Sequence, residues 1–144
     1  MSFGSRAQRT KCATARAVAH FVRWAREPGD TRRKADFYPS VEKRDLLRLG
    51  YISSRSRHAR GSTVDLTLVE RASGREVDIG TGFDHFGPKS AYADPSLTAE
   101  QRANRARLRS VMQRHGFAPI AKEWWHFTLR AEPFPTARFD FPVR

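Results

Sequence analysis

SRHARGSTVDLTL, residues 56–68, is the stretch that decides how this chain folds. Apolar and polar residues alternate through its second half, as they do on a strand with one buried face. Val64, Leu66 and Leu68 point to one side, and Asp65 lies on the other side between two threonines. The pattern predicts a strand over residues 63–69 that carries Asp65 on its polar face.

Helices are expected both before and after this strand in the sequence. Apolar residues at helical spacing predict a helix over 13–27, which Pro28-Gly29 stops. A second, shorter helix is predicted over 40–49, between a Ser40 cap and Gly50. Thr98 and Gln101 form a capping box, which predicts a helix that begins there, runs to residue 115 and ends at Gly116.

Further strands are expected over 75–79, 117–121 and 124–130. In a regular last strand, Glu123 and His126 would face opposite sides, so we predict a local irregularity at Glu123 if both serve one site. The tail from Pro133 is expected to be extended. Together these elements predict an α+β domain with an antiparallel sheet and helices packed on one face.

Two short motifs together suggest a metal site. His58 and Asp65 are seven residues apart, and Glu123-Trp124-Trp125-His126 follows much later. Two histidines and an aspartate can fill three positions around a tetrahedral zinc and leave the fourth for water, as in catalytic zinc sites. Glu123, three residues before His126, is then the candidate base that takes a proton from that water.

These motifs and their neighbours resemble the VanX-type D-alanyl-D-alanine dipeptidases of the M15 metallopeptidase family. The resemblance runs in order from about Arg16 to the C-terminus through residues 56–68, 82–84, 104–112, 123–130 and 139–144. It implies a DD-peptidase/hedgehog-like zinc peptidase fold, one Zn²⁺ per chain held by His58, Asp65 and His126, and hydrolysis of the small dipeptide D-Ala-D-Ala.

The same resemblance implies two substrate contacts. Ser56 matches the position that meets the substrate carboxylate, and Asp84, in Gly-Phe-Asp, matches the position that pairs with the substrate ammonium. An ammonium-binding carboxylate favours a dipeptidase over a related cell-wall D,D-carboxypeptidase. A non-catalytic zinc-binding remnant of the family is the other alternative. The family alone leaves open resistance, wall recycling or nutrition as the role.

The first residues differ from the family pattern. The family has several dozen residues before the first helix, and an arginine in a Tyr-Arg-Pro string stabilises the oxyanion; here the aligned string is Cys12-Ala13-Thr14. We hypothesise that residues 1 to about 15 arise from a shifted reading frame and that 16–144 form the dipeptidase domain. Loss of one oxyanion donor would slow the enzyme by roughly 10²–10³-fold.

Composition sets broader bounds. A chain of 144 residues with 39% hydrophobic residues fits one domain with one core. No apolar run approaches the length of a membrane span, the first residues lack the apolar stretch of a signal peptide, and one cysteine excludes an internal disulfide. We therefore expect a cytoplasmic protein.

The net charge of +12 raises the alternative of nucleic-acid binding. The charge is mostly arginine and is spread along the chain without a basic block or a nucleic-acid motif. A solvated basic surface is the simpler interpretation, so no nucleic-acid partner is expected.

Overall fold

An antiparallel four-stranded sheet organises the computed structural model, which describes residues 5–11 and 14–140, with side chains from residue 14 onward. The strands are β1 (Ser5–Lys11), β2 (Thr63–Glu70), β3 (Phe117–Pro119) and β4 (His126–Leu129), in the spatial order β1-β2-β4-β3. The α-helices are α1 (Ala15–Arg26), α2 (Lys34–Phe37) and α3 (Ala99–Arg114). Short 3-10 turns lie at Lys43–Asp45, Arg57–Arg60 and Pro88–Ser90.

The register of β2 against β4 positions the candidate ligands. Asp65 is the direct cross-strand partner of His126, and Val64 is the partner of Phe127. Direct partners on antiparallel strands project to the same face, so Asp65 and His126 share a face opposite the one that carries Leu66. The predicted strand over 63–69 is confirmed, with Glu70 added at its end.

One apolar core joins the sheet to both long helices. It contains Val22 and Ala25 of α1 and Leu108 and Met112 of α3, among other buried side chains of β2, β4 and the loops. The capping box at the start of α3 is present, because the Thr98 hydroxyl accepts from the Gln101 backbone amide and the Gln101 side chain accepts in return. The α+β class and the antiparallel sheet are therefore confirmed.

The helix predicted over 40–49 is wrong. Only a 3-10 turn at Lys43–Asp45 and further turns occupy this segment. Lys43 is 5% exposed and its ammonium donates to the Asp30 carbonyl at 2.8 Å, while Leu46 is fully buried. The 3-10 turn places Lys43 and Leu46 so that both side chains are buried.

The strand predicted over 75–79 reduces to one isolated bridge between Val69 and Glu76. Two backbone carbonyls of this segment accept hydrogen bonds from side chains of α3, so they are not available to a β-ladder. Asn104 Nδ2 donates to the Asp78 carbonyl at 3.0 Å, and Arg105 Nε donates to the Ile79 carbonyl at 2.8 Å. The backbone therefore leaves the sheet and turns toward α3. The strands predicted over 117–121 and 124–130 are present in shortened form.

Part of the predicted N-terminal segment lies outside the described residues. These are residues 1–4, 12 and 13, which include the Cys12-Ala13 string where the family arginine was expected. Within the described part, Ser5–Lys11 pairs with β2, and Thr14 caps α1 by accepting from the Ala17 amide. The origin of residues 1–15 stays a hypothesis. No helix among the described residues has the length and apolar character needed to cross a membrane.

Candidate metal centre and catalytic cavity

His58 lies on a tight turn whose start and end are both fixed by local structure. Ser56 caps the Arg57–Arg60 turn, and its hydroxyl accepts from the His58 amide at 3.4 Å. Gly61 ends the turn with φ of 73°, a left-handed value that glycine adopts without steric cost. Arg60 binds Glu132 in bidentate fashion at 2.6 and 2.7 Å. The turn therefore delivers His58 directly in front of β2.

Three side chains converge at this point. His58 Nε2 lies 3.1 Å from Asp65 Oδ2, and His126 Nδ1 lies 3.1 Å from Asp65 Oδ1. The two imidazole rings are 4.9 Å apart at 85°. One potential ligand atom from each residue lies within 4.8 Å of the other two, so the group could hold a metal ion. The predicted ligands are thus brought together.

The electrostatics of Asp65 suit a ligand. Burial alone would raise the pKa of Asp65, but contacts with the imidazoles of His126 and His58 outweigh burial and hold that pKa below its usual value. Its Oδ1 atom is buried and, among the described residues, has no partner with hydrogen-bond geometry. A buried carboxylate oxygen in this state normally needs a compensating cation or donor.

Glu123 stands beside this group, just before β4 begins. Its Oε2 lies 3.7 Å from His126 Nδ1, and the His126 amide donates to the Glu123 carbonyl at 3.3 Å. That turn is the irregularity predicted from the sequence, and it lets both side chains face one site. Burial, together with the charges of Asp65 and Asp84, raises the pKa of Glu123 to about 8.

A cavity of about 660 Å³ opens over these groups. Ser56 and Asp84 both line it, as do Phe21 of α1 and the side chain of Trp125. The backbone of Asp84 has φ of 60°, and no other non-glycine residue among those described has a positive φ. This left-handed conformation costs free energy in a residue with a side chain and often marks a functional position. The predicted substrate contacts therefore share the cavity of the predicted ligands.

The segment that carries Asp84 is held by a residue the sequence analysis missed. Arg105 of α3 is 1% exposed, and its guanidinium donates to the carbonyls of Ile79, Lys89 and Ala91 at 2.8, 2.9 and 2.6 Å. Three bonds from one planar group fix both ends of residues 79–91. Its only sequence signal is a position on the inner side of an otherwise basic, exposed helix.

Trp124 ties the same segment to the start of β4. Its indole donates to the Thr81 hydroxyl at 2.8 Å, and its backbone amide donates to the Ser90 carbonyl at 3.1 Å. Trp124 and Trp125 are each 1% exposed, and Trp125 also lines the cavity. Within residues 14–140, His20, His85 and His115 take no part in the metal-capable group.

Comparison with known proteins places this chain in a family. Residues 12–144 match the model of the M15 peptidase family, described as D-Ala-D-Ala dipeptidase. The chain belongs to that family, and its class is that of a peptidase fold built around a candidate metal centre.

Curated relatives agree with the family match. The chain is 40% identical over 129 residues to a D-alanyl-D-alanine dipeptidase of Enterococcus faecium, with 90% of this chain and 64% of the relative covered. It is 44% identical over 128 residues to the protein of the same name from Streptomyces coelicolor, with 89% and 63% covered. The chain thus spans slightly less than two thirds of the length of these relatives.

Proposed function

We propose that this chain is a zinc-dependent dipeptidase that hydrolyses D-Ala-D-Ala to two molecules of D-alanine, with one zinc per chain. The observation that carries the proposal is the convergence of His58, Asp65 and His126 on one point with Glu123 beside it. The names of the relatives support the choice of substrate.

Zinc fits the donor set. Two imidazoles and one carboxylate are typical protein ligands of a catalytic zinc with an open fourth position. Bonds of ~2.0 Å in a tetrahedron place neighbouring ligand atoms roughly 3.3 Å apart. Each imidazole nitrogen lies 3.1 Å from one of the two Asp65 oxygens, a separation close to that spacing. The buried Oδ1 atom has no partner with hydrogen-bond geometry among the described residues, so it keeps a lone pair for a metal.

A zinc ion bound here would supply Lewis acidity, which polarises a carbonyl and makes water acidic enough to give hydroxide near neutral pH. The catalytic proton transfers fall to Glu123. Its carboxylate accepts the proton of the attacking water and then delivers it to the leaving amine. The raised pKa of Glu123 favours holding that proton between the two transfers, and a nearby cation would bring the pKa down toward neutrality.

Recognition of the two substrate ends falls to Ser56 and Asp84. The Ser56 hydroxyl is suited to the carboxylate of the second residue, and Asp84 is suited to the ammonium of the first. A longer peptide has no terminal amine at this position, so it would not form the ion pair with the Asp84 carboxylate. Loss of that ion pair favours the dipeptide over longer peptides.

The test is an assay of the zinc-loaded chain for D-alanine release from D-Ala-D-Ala, beside its Glu123→Gln variant. We expect hydrolysis by the parent chain and a loss of ~10²–10⁴-fold in kcat in the variant, with zinc still bound. Zinc binding without hydrolysis would point instead to a non-catalytic remnant. Release of D-alanine from longer peptides at an equal rate would point to a carboxypeptidase. Either result rejects the proposal.

A further inference from the structure

A second cavity, of about 260 Å³, adjoins the catalytic cavity and has no part in the chemistry above. Its walls are mainly aromatic. They come from α1, from α2 and its flanking residues, and from the segment that carries Asp84. They comprise Phe21, Trp24, Phe37, Tyr38 and Phe86, together with the charged Asp30 and Arg33. Phe21, Asp84 and Phe86 line both cavities, so the two spaces meet at the carboxylate assigned to the substrate ammonium.

We propose that this side cavity is a subsite for a large aromatic side chain on the first residue of the dipeptide. The inference rests on the proposed function, because Asp84 must hold the ammonium of that residue. The side chain of the same residue branches from the carbon that bears the ammonium. A cavity that begins at Asp84 is therefore within its reach, whereas the methyl group of D-alanine would leave the cavity empty.

The walls are rigid before any ligand arrives. Phe21 stacks on Trp24 at 5.4 Å, and Trp24 meets Tyr38 edge to face at 5.7 Å. Lys43 Nζ lies 4.3 Å from the centroid of Trp24, and the Phe86 amide donates to the Phe37 carbonyl at 2.6 Å. The last bond joins α2 to the segment that carries Asp84. A preorganised aromatic site loses little entropy when an aromatic ring binds.

The size of the catalytic cavity agrees with this assignment. Its 660 Å³ lies within the range of sites that take drug-sized ligands, well above what two alanine residues fill. The cavity therefore has room for a dipeptide larger than D-Ala-D-Ala.

The experiment compares kcat/KM of the zinc-loaded chain for D-Phe-D-Ala and D-Ala-D-Ala. We expect the parent chain to prefer D-Phe-D-Ala by at least about tenfold, since burying several methylene equivalents separates substrates by that much or more. Phe37→Trp should fill the cavity and reduce this preference by about tenfold or more. Phe117→Trp, a half-buried phenylalanine of β3 outside both cavities, should leave the preference unchanged.

A parent preference ratio of one or less, or equal effects of Phe37→Trp and Phe117→Trp, would overturn the subsite.

Failure of the proposed function can be distinguished from failure of the subsite. If neither dipeptide is hydrolysed, the dipeptidase proposal fails, and calorimetric binding to the zinc-loaded chain decides the subsite. Tighter binding of D-Phe-D-Ala than of D-Ala-D-Ala then supports it, and equal or weaker binding rejects it.

Discussion

Asp65 is the residue on which the candidate metal centre depends most. Each of its carboxylate oxygens approaches a different imidazole at 3.1 Å, so it holds His58 and His126 in one arrangement. Its place in the middle of β2, directly opposite His126, gives it little freedom to move. The sheet therefore sets the spacing of Asp65 and His126, and the Arg57–Arg60 turn positions His58 against them.

Asp65→Asn should lower zinc affinity more than the roughly 10–100-fold that loss of an outer-shell partner costs. The amide keeps the shape of the carboxylate but loses its charge, and a neutral oxygen is a weaker ligand for a divalent cation. Competition with a zinc-binding dye measures the change. Asp45→Asn, whose carboxylate pairs with Arg48 at the surface, is the matched control and should bind zinc as the parent does.

Glu123 gives the metal-free protein a pH dependence of defined sign. Its pKa is about 8 when folded and near its ordinary value of 4.5 when unfolded, so the folded state binds more protons between these values. Its contribution to stability therefore falls as pH rises from about 4.5 to 8. Glu123→Gln removes this effect.

In the presence of a chelator, Glu123→Gln should exceed the parent chain in free energy of unfolding by roughly 1–3 kcal/mol more at pH 8 than at pH 5. Urea titrations at the two pH values measure the difference. A difference that is the same at both values would contradict the raised pKa.

The grouping of His58, Asp65 and His126 with Glu123 beside them could be predicted from the sequence, because the expected chemistry requires particular residue types at recognisable spacing. The cavity positions of Phe21 and Phe37 could not, because an aromatic residue on an amphipathic element has the same sequence pattern whether it lines the core or a cavity. Phe21 is one of the apolar residues whose helical spacing predicts α1, yet it is 40% exposed and borders both cavities.

At the scale of elements, α3 acts as the support of the segment that carries Asp84. The inner side of α3 contributes Asn104 and Arg105, which bind four backbone carbonyls between residues 78 and 91. A segment without regular secondary structure is thereby held almost as firmly as a strand would be. The helix and its capping box could be predicted from the sequence, but the hydrogen bonds of its buried arginine to the segment that carries Asp84 could not.

Arg105→Lys should weaken this support. Lysine keeps the charge but cannot place planar donors on three carbonyls, so we expect a loss of about 1–3 kcal/mol in stability. Hydrogen exchange should become faster in residues 79–91 before it changes in β2 or β4. Arg107→Lys, exposed on the same helix, is the control; equal exchange in both variants would reject the role of Arg105.

The two elements predicted wrongly have a common physical cause. Residues 40–49 and 75–79 have local patterns typical of a helix and a strand, but tertiary hydrogen bonds hold both segments in other conformations. The Lys43 ammonium binds the Asp30 carbonyl, and the side chains of α3 occupy the carbonyls of Asp78 and Ile79. Neither partner is near in sequence, so local patterns could not reveal them.

At the scale of the whole molecule, metal binding and folding should be linked. The ligands come from the turn before β2, from β2 and from β4, so an unfolded chain cannot present them together. A metal that binds only the folded chain stabilises it by mass action.

Zinc at about 100 times its dissociation constant should add roughly 2.7 kcal/mol to the free energy of unfolding and raise Tm by roughly 5–10 °C. Thermal melts with zinc and with a chelator measure the shift. The Asp65→Asn variant should show little of it, which separates site-specific binding from general effects of the ion. An equal rise in Tm in that variant would contradict the linkage.

The extended tail brings distant parts of the chain together around the turn that carries His58. The Phe139 amide donates to the Ala59 carbonyl at 2.7 Å, the Phe139 carbonyl accepts from the Ala15 amide at 2.9 Å, and its ring lies against Gly61. During synthesis, the ribosome must therefore release residue 139 before this turn has its final neighbours. A nascent chain arrested before that residue should accordingly capture zinc poorly.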